Sequence, residues 1–320
     1  MTRAIWTLVR VLLTIAIFAY VLRGFDVDAA TLALRRFSAV AIEESLILIA
    51  IDRGIMFWRW FVLIRAVSPA PPRQLARIFF VSSFLGSFLP AGVGADAARA
   101  FQVGRQTGRV GGAIASVVVD RWLGLLAVGI SGCAGALASL AAVPDQLREL
   151  TIVVTVLLVV GGVATLYADR IVDRVWPARE HDGRLIHAIR RISTALAVYR
   201  RSPRDLWIVG ALSLAVQAVR ITLAWVIGSG LGVTLPFSYY WVFMPLNILI
   251  ILLPLSLGGF GLPQGTMVWT LGPLGVAPTE AFLLSLLFVL AGVVGNLPGA
   301  LLYAFGPSRV SATGVGHHNH

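Results

Sequence analysis

Two acid–base patterns stand out in an otherwise apolar chain. In GADAARAF (94–101), Asp96 and Arg99 lie three residues apart, and in VVVDRWLGLL (117–126) Asp120 and Arg121 are adjacent. Two further arginines sit inside apolar runs: Arg59 in FWRW (57–60) and Arg220 in SLAVQAVRITLAW (213–225). Carboxylates and guanidiniums in such places can neutralise one another as buried ion pairs. A guanidinium left over can grip a phosphate with two hydrogen bonds. No residues point to bond-making chemistry: there is no Ser/His/Asp arrangement, no phosphate-binding P-loop and no zinc-ligand spacing. Cys133 is alone, which excludes a disulfide or thiolate metal site within one chain. We therefore expect no catalytic residues, no metal and no cofactor. His181 and His187 read as solvated, and the terminal GHHNH (316–320) as part of a disordered tail.

The elements that must position these charges are membrane helices. Hydrophobic residues make up 58% of the 320 and charged residues 13%. Soluble domains sit near about 45–50% and about 25%, so the composition is that of a polytopic membrane protein. The net charge of +11 is carried entirely by arginine. These arginines cluster between apolar segments, which fits membrane loops and anionic lipid surfaces and not nucleic acid. Taking about 20 apolar residues per span, full spans are expected at roughly 4–22, 39–64, 111–141, 151–168, 206–230 and 280–305. Glu43, Glu44, Asp52, Arg53 and Arg59 interrupt the second. The first lacks a small-residue cleavage site and reads as a retained span.

Two further segments, 73–105 and 239–275, are apolar but broken. Pro90, Gly92 and Gly94 break the first, in FLPAGVGAD. Pro254, Gly258, Gly259 and Gly261 break the second, in LLPLSLGGFG, followed by Gln264. Irregular backbone at membrane depth is tolerated where protein buries it or it lines a wet cavity. Secondary transporters use paired, oppositely inserted elements of this kind to build a midplane site. The fold class expected is an all-α polytopic membrane protein of about six full spans plus two re-entrant broken helical hairpins, with an inverted repeat as a hypothesis. One transmembrane domain covers 1–305, with a basic cytoplasmic loop at 169–204 and a disordered cytoplasmic tail at 306–320. The arginine-rich 169–204 segment sets the orientation. Both termini are then cytoplasmic, and the first hairpin enters from the cytoplasm over Arg73, Arg77, Arg105 and Arg109. The segment 23–38 is expected as an outer loop, although Arg23, Arg35 and Arg36 speak against that side.

Each charged residue has a plain reading beside the functional one. Asp96 opens the returning helix of the first hairpin, where it either caps free N–H groups or holds Arg99 on the same face. Arg99 is then either restrained or offered to a phosphate. Asp120 and Arg121 lie roughly 15 Å into their span and point about 100° apart. Asp120 is expected to meet Arg99 or Arg59, and Arg121 to snorkel or face a lipid headgroup. Arg59, bracketed by Trp58 and Trp60, reads first as an interfacial anchor. Arg220 lies too deep for a loop charge and needs a partner or a cavity. Asn247, Gln264 and Asn296 read as interhelical hydrogen-bonding residues.

GADAARAF, VVVDRWLGLLAV, LPLSLGGFGLPQGTM (253–267), GVAPTEAFLLSLLF (275–288) and FWRWFVLIRA (57–66) together resemble the lysylphosphatidylglycerol synthase transmembrane-region, or flippase-like, family. The resemblance runs in order along nearly the whole chain. It implies a multi-pass helical domain of the bacterial inner membrane, non-enzymatic in itself, that moves lipids. It places Asp96 and Arg99 in the family's first motif and Asp120 and Arg121 in its second. One departure stands out: the family's Arg-Glu after the glycine-rich break is Pro263-Gln264 here. Either the substrate differs, or Arg220 takes over some of that role, or transport is lost. The synthases carry a soluble aminoacyltransferase domain after the membrane part, and with the sequence ending soon after 305 lysyl transfer is not expected.

The function expected is translocation of a phospholipid or glycolipid, or a lipid-linked glycan, through a site built from Asp96, Arg99, Asp120, Arg121, Arg59 and Arg220. The alternative is a non-transporting membrane partner or scaffold of a lipid or envelope-glycan biosynthesis enzyme, its ion pairs purely structural.

Overall fold

The computed structural model describes residues 25–68, 70–87, 93–138, 145–176, 184–252 and 261–305. The candidate span 4–22, the tail at 306–320, His181 and the break residues Pro90, Gly92, Pro254, Gly258 and Gly259 lie outside the described residues.

The described chain is all-α. A short helix, α1 (Val27–Arg36), occupies most of the expected outer loop at 23–38. Asp26 caps it by accepting the Asp28 and Ala29 N–H groups at 2.9 and 3.0 Å, and Arg35 and Arg36 complement the dipole at its other end. Ser38 then caps α2 (Ala39–Val67), a continuous 29-residue helix. Next come α3 (Pro72–Gly86) and α4 (Val93–Thr107), which pack against one another as the arms of a hairpin. Gly86 makes that contact possible, because a side chain there would collide with Ala95. Gly94, expected in the break, instead lies in the first turn of α4, where small residues let the two arms close together. The base is tied by Ser68 Oγ and Thr107 Oγ1 at 2.6 Å. α5 (Val110–Ala138) follows.

The same order recurs in the second half. A long helix, α9 (Pro203–Leu231), is followed by the short pair α10 (Phe237–Leu252) and α11 (Leu262–Leu271) and the long α12 (Pro278–Ala304). The two hairpins enter from opposite ends. At one end Gly111 and Gly112 admit the Arg191 and Val67 carbonyls, and a Cβ on either glycine would sit 3.1 Å from them. This end holds the last turn of α2, the base of the α3–α4 hairpin and the start of α5. At the other, Gly135 near the end of α5 leaves room for the Trp241 carbonyl of α10, and Phe37 packs on Gly230 near the end of α9.

Between the halves, α6 (Asp145–Leu166) bends by 71° into α7 (Ala168–Val175), and α8 (Arg184–Arg200) follows. The expected basic loop at 169–204 is thus largely helical. Asp169 accepts two hydrogen bonds from Arg200 at 2.9 and 3.0 Å, and that bonding holds its carboxyl below the ordinary carboxylate range. Tyr199 OH donates to the Leu63 carbonyl at 2.9 Å, docking α8 on α2. Burial pushes the Tyr199 hydroxyl far above its usual range.

Among the described residues, α5, α9 and α12 are long and apolar enough to cross a membrane, with the bent α6–α7 pair a fourth candidate. Of the expected six, 4–22 lies outside the described residues. The segment 39–64 forms one helix, but its charges set it apart from the apolar spans, and 151–168 is bent at its end. α6 leaves Ile152, Val153, Val156, Leu157 and Val160 exposed, an apolar surface that belongs against lipid. The chain is an all-α polytopic membrane protein. One core gathers Trp60, Leu63, Phe79 and Tyr199 in the first half, another Ile221, Tyr240, Met244 and Leu284 in the second.

Candidate functional site

Asp96 is shared by two arginines. Its Oδ1 accepts from Arg99, three residues on along α4, and its Oδ2 from Arg121 of α5. Of the two roles open to Asp96, capping free N–H groups or holding Arg99, the second is the one seen: α4 starts at Val93, so Asp96 lies inside the first turn with its carboxylate on the two guanidiniums. Arg121, its side chain 37% exposed, thereby ties α5 to the hairpin. Arg99 is only 4% exposed. Its guanidinium lies 5.4 Å from the Trp60 ring and 5.3 Å from the Phe79 ring, within cation–π range.

Of the two partners expected for Asp120, the structure selects Arg59. Arg59 Nε and Nη2 donate to Asp120 Oδ1 and Oδ2 at 2.7 and 3.1 Å, and Nη1 reaches Ser213 Oγ at 3.4 Å. This joins α2, α5 and α9. The Arg59 guanidinium packs over Gly124, where a Cβ would make ordinary contact with it at 3.4 Å. Both residues are buried and Trp60 is wholly enclosed, so Arg59 is no interfacial anchor; of FWRW only Trp58 is exposed. The cause is the 3.6-residue period, which turns Arg59 and Trp60 inward and Trp58 out.

A third cluster centres on Asp52. Arg220 Nε donates to Asp52 Oδ1 at 2.8 Å, and Arg53 Nη2 lies 3.0 Å from Oδ2. Arg53 Nη1 also donates to Asn296 Oδ1 of α12 at 2.9 Å, and Asn296 Nδ2 to Ser87 Oγ at the inner end of α3 at 2.7 Å. Arg220 Nη2 rests on Met56 Sδ at 3.0 Å. Arg53 was legible in the sequence only as an interruption of the second span. A charge beside Asp52, so deep in an apolar run, was the signal that it belongs to the site.

These groups surround one cavity of about 300 Å³ between the two halves. Asp52, Arg53, Asp96, Arg99, Arg121 and Arg220 line it, with Ser83, Ser87 and Asn296 as neutral polar wall. Four guanidiniums against two carboxylates leave a formal charge of +2. Of the six site residues expected from the sequence, Arg59 and Asp120 are not among the lining residues; they neutralise each other behind it. The second hairpin contributes Ile248 and Ile251 of α10 to the lining, and no charge.

Gln264 stands near the start of α11, much as Asp96 does in α4, but it supports backbone. Its Oε1 accepts the Gly261 N–H at 2.6 Å, while Asn247 Nδ2 donates to the Pro263 carbonyl at 2.9 Å. Gly261 has a φ of +97°, a conformation that favours glycine and suits the expected break.

The family model described as lysylphosphatidylglycerol synthase TM region matches residues 7–299. No curated protein matches the chain significantly.

Proposed function

The chain belongs to the lysylphosphatidylglycerol synthase TM-region family, and from that premise we propose that it translocates a membrane lipid, or a lipid-linked glycan, by passing an anionic headgroup through the arginine-lined cavity. One observation carries the reading: the cavity between two oppositely inserted hairpins holds four guanidiniums and only two carboxylates among its described lining residues. Arginines in excess at membrane depth need an anion, and a phosphate in the cavity supplies one. The cavity sits at the low end of ligand-pocket volumes, sized for a headgroup with the acyl chains left in the bilayer. The reading is non-enzymatic: the residues bind and pass a headgroup without making or breaking a bond. It treats 1–305 as one re-entrant flippase-like domain of the bacterial inner membrane, with the arginine-rich α7–α8 end and both termini on the cytoplasmic side.

A second reading, a non-transporting partner of a lipid or envelope-glycan biosynthesis enzyme, is favoured by the Arg59–Asp120 pair, which neutralises itself away from the cavity. The two readings separate in proteoliposomes containing a fluorescent phosphatidate. Flip-flop by the wild type that is lost in Arg99→Ala supports translocation. Absence of flip-flop by a well-folded wild type supports the partner role. Transport unchanged in both Arg99→Ala and Arg220→Gln would sink the cavity as the route.

A further inference from the structure

Resting on the reading of this cavity as a headgroup site, we infer that it selects a doubly charged phosphate over a singly charged one. The ligand is a phosphate monoester or diphosphate, borne by a lipid or free, and a phosphodiester is the disfavoured class. The charge balance is the first argument. Arg53, Arg99, Arg121 and Arg220 against Asp52 and Asp96 leave +2, and neither hairpin tip, 88–92 nor 253–260, contains an ionisable residue to change that sum. Arg59 and Asp120 cancel each other. A diester monoanion leaves one positive charge uncompensated in a site of low dielectric, whereas a monoester carries roughly −1.5 to −2 at neutral pH.

Donor geometry is the second, independent argument. Arg53 Nε and Arg99 Nε are buried with no hydrogen-bond partner among the described residues, and both side chains line the cavity. Arg99 is itself only 4% exposed. Unmet guanidinium donors at such depth are costly. A third donor, Arg220 Nη2, is satisfied only by the Met56 sulfur at 3.0 Å, a weak acceptor that an oxygen readily displaces. Arg53 Nε itself lies against α12, where a Cβ on Gly295 would sit 2.9 Å from it, so Arg53 brings charge to the cavity while Arg99 Nε and Arg220 Nη2 are the donors a phosphate oxygen would satisfy. Arg99 comes from α4 and Arg220 from α9, so the anion bridges the halves.

The test uses the full chain in phosphatidylcholine nanodiscs, titrated with dioctanoyl phosphatidate, dioctanoyl phosphatidylglycerol and inorganic pyrophosphate. Phosphatidate is expected to bind about tenfold tighter than phosphatidylglycerol, the size of one lost charge-assisted hydrogen bond. Arg53→Gln is expected to bring the two lipids within about twofold of each other by the same loss. Pyrophosphate that competes with phosphatidate marks a site open to the free anion; phosphatidate binding that pyrophosphate does not displace marks a lipid-borne dianion. Equal affinity for the two lipids overturns the dianion inference and leaves the headgroup reading intact. Binding of none of the three probes overturns both. Thermal unfolding in the same nanodiscs checks folding, and Arg220→Gln replaces Arg53→Gln if that variant does not fold.

Discussion

Arg220 Nε lies 2.8 Å from Asp52 Oδ1, across 168 residues of sequence, and ties the middle of α9 to the middle of α2. Asp52 simultaneously holds Arg53 at 3.0 Å. Asp96 repeats the device with Arg99 and Arg121. In each case one carboxylate restrains two guanidiniums, which cancels half of the arginine charge and keeps the rest facing the cavity. This arrangement holds four arginines around the cavity without neutralising it.

The sharing makes the two ends of the Asp52–Arg220 bond unequal. Asp52→Asn leaves Arg53 and Arg220 facing each other uncompensated, a loss of about 3 kcal/mol on the scale of broken buried pairs. Arg220→Gln leaves Asp52 still paired with Arg53 and is expected to cost about 1 kcal/mol. Thermal unfolding of the two variants should therefore rank Asp52→Asn well below Arg220→Gln. Equal losses would show that Asp52 is not the shared anchor.

The Arg59–Asp120 pair should behave as structure alone. Asp120→Asn strands the buried Arg59 and is expected to lose about 3 kcal/mol. Replacing both, Arg59→Met with Asp120→Leu, removes two desolvated charges together and should recover most of that loss. The double variant is also expected to retain lipid flip-flop, because neither residue lines the cavity. A refolded double variant without transport would place the pair in the mechanism after all.

How much of this was legible in the sequence differs from residue to residue. The helical class, the three apolar spans and the paired breaks followed from hydropathy and from glycine and proline, which act locally. That Arg220 requires a partner or cavity followed from its depth. Which acid meets which base did not: Asp120 had two candidate arginines, and only the packing of α2 against α5 brings Arg59 to it. The sequence does not show the partner of Arg121, which lies 25 residues away on another helix. The depth of Arg53 marks it, but periodicity cannot show that Asn296 of α12 comes within 2.9 Å of it. The segment 169–204 was read as loop from its charge, yet the apolar face of α8, with Leu196, Ala197 and Tyr199 buried, recurs at helical spacing and could have been found. Similarly, Asp26 followed by Arg35 and Arg36 marks a capped helix in a stretch read as a loop.

The α7–α8 unit predicts an acid response. The Asp169 carboxyl is held low by the hydrogen bonds from Arg200. A depressed carboxylate contributes stability that is fully present above its unfolded value of about 3.9 and is lost as pH falls through the lower folded value. Backbone hydrogen exchange over residues 168–175 should therefore accelerate in the wild type as pH falls below about 4, after correction for intrinsic rates. In Asp169→Asn the contribution is absent at every pH, so exchange there should already be faster at neutrality and show little further change. A wild type and variant with parallel pH profiles would break the assignment.

The close approach of α3 to α12 offers a test of whether the first hairpin is held by packing or by the Asn296–Ser87 hydrogen bond. Gly299 presses on the Phe80 backbone carbonyl, and a side chain there would collide with it. Backbone cannot yield as the end of a flexible side chain does, so Gly299→Ala must push α3 away from α12. The displacement falls three residues from Asn296, whose amide bonds Ser87 at 2.7 Å and whose oxygen holds Arg53 at 2.9 Å. Gly299→Ala is thus expected to cost about 1–3 kcal/mol, the usual range for overpacking, and to weaken anion binding through Arg53 although it lines no part of the cavity. Asn296→Ala removes the polar link and leaves the packing, so it should weaken anion binding with a smaller loss of thermal stability. Measuring melting temperature and phosphatidate affinity for both variants separates the two contributions. If Gly299→Ala lowers stability and leaves affinity unchanged, the helix contact and the arginine site are uncoupled, and Asn296 holds Arg53 independently of how closely α3 meets α12.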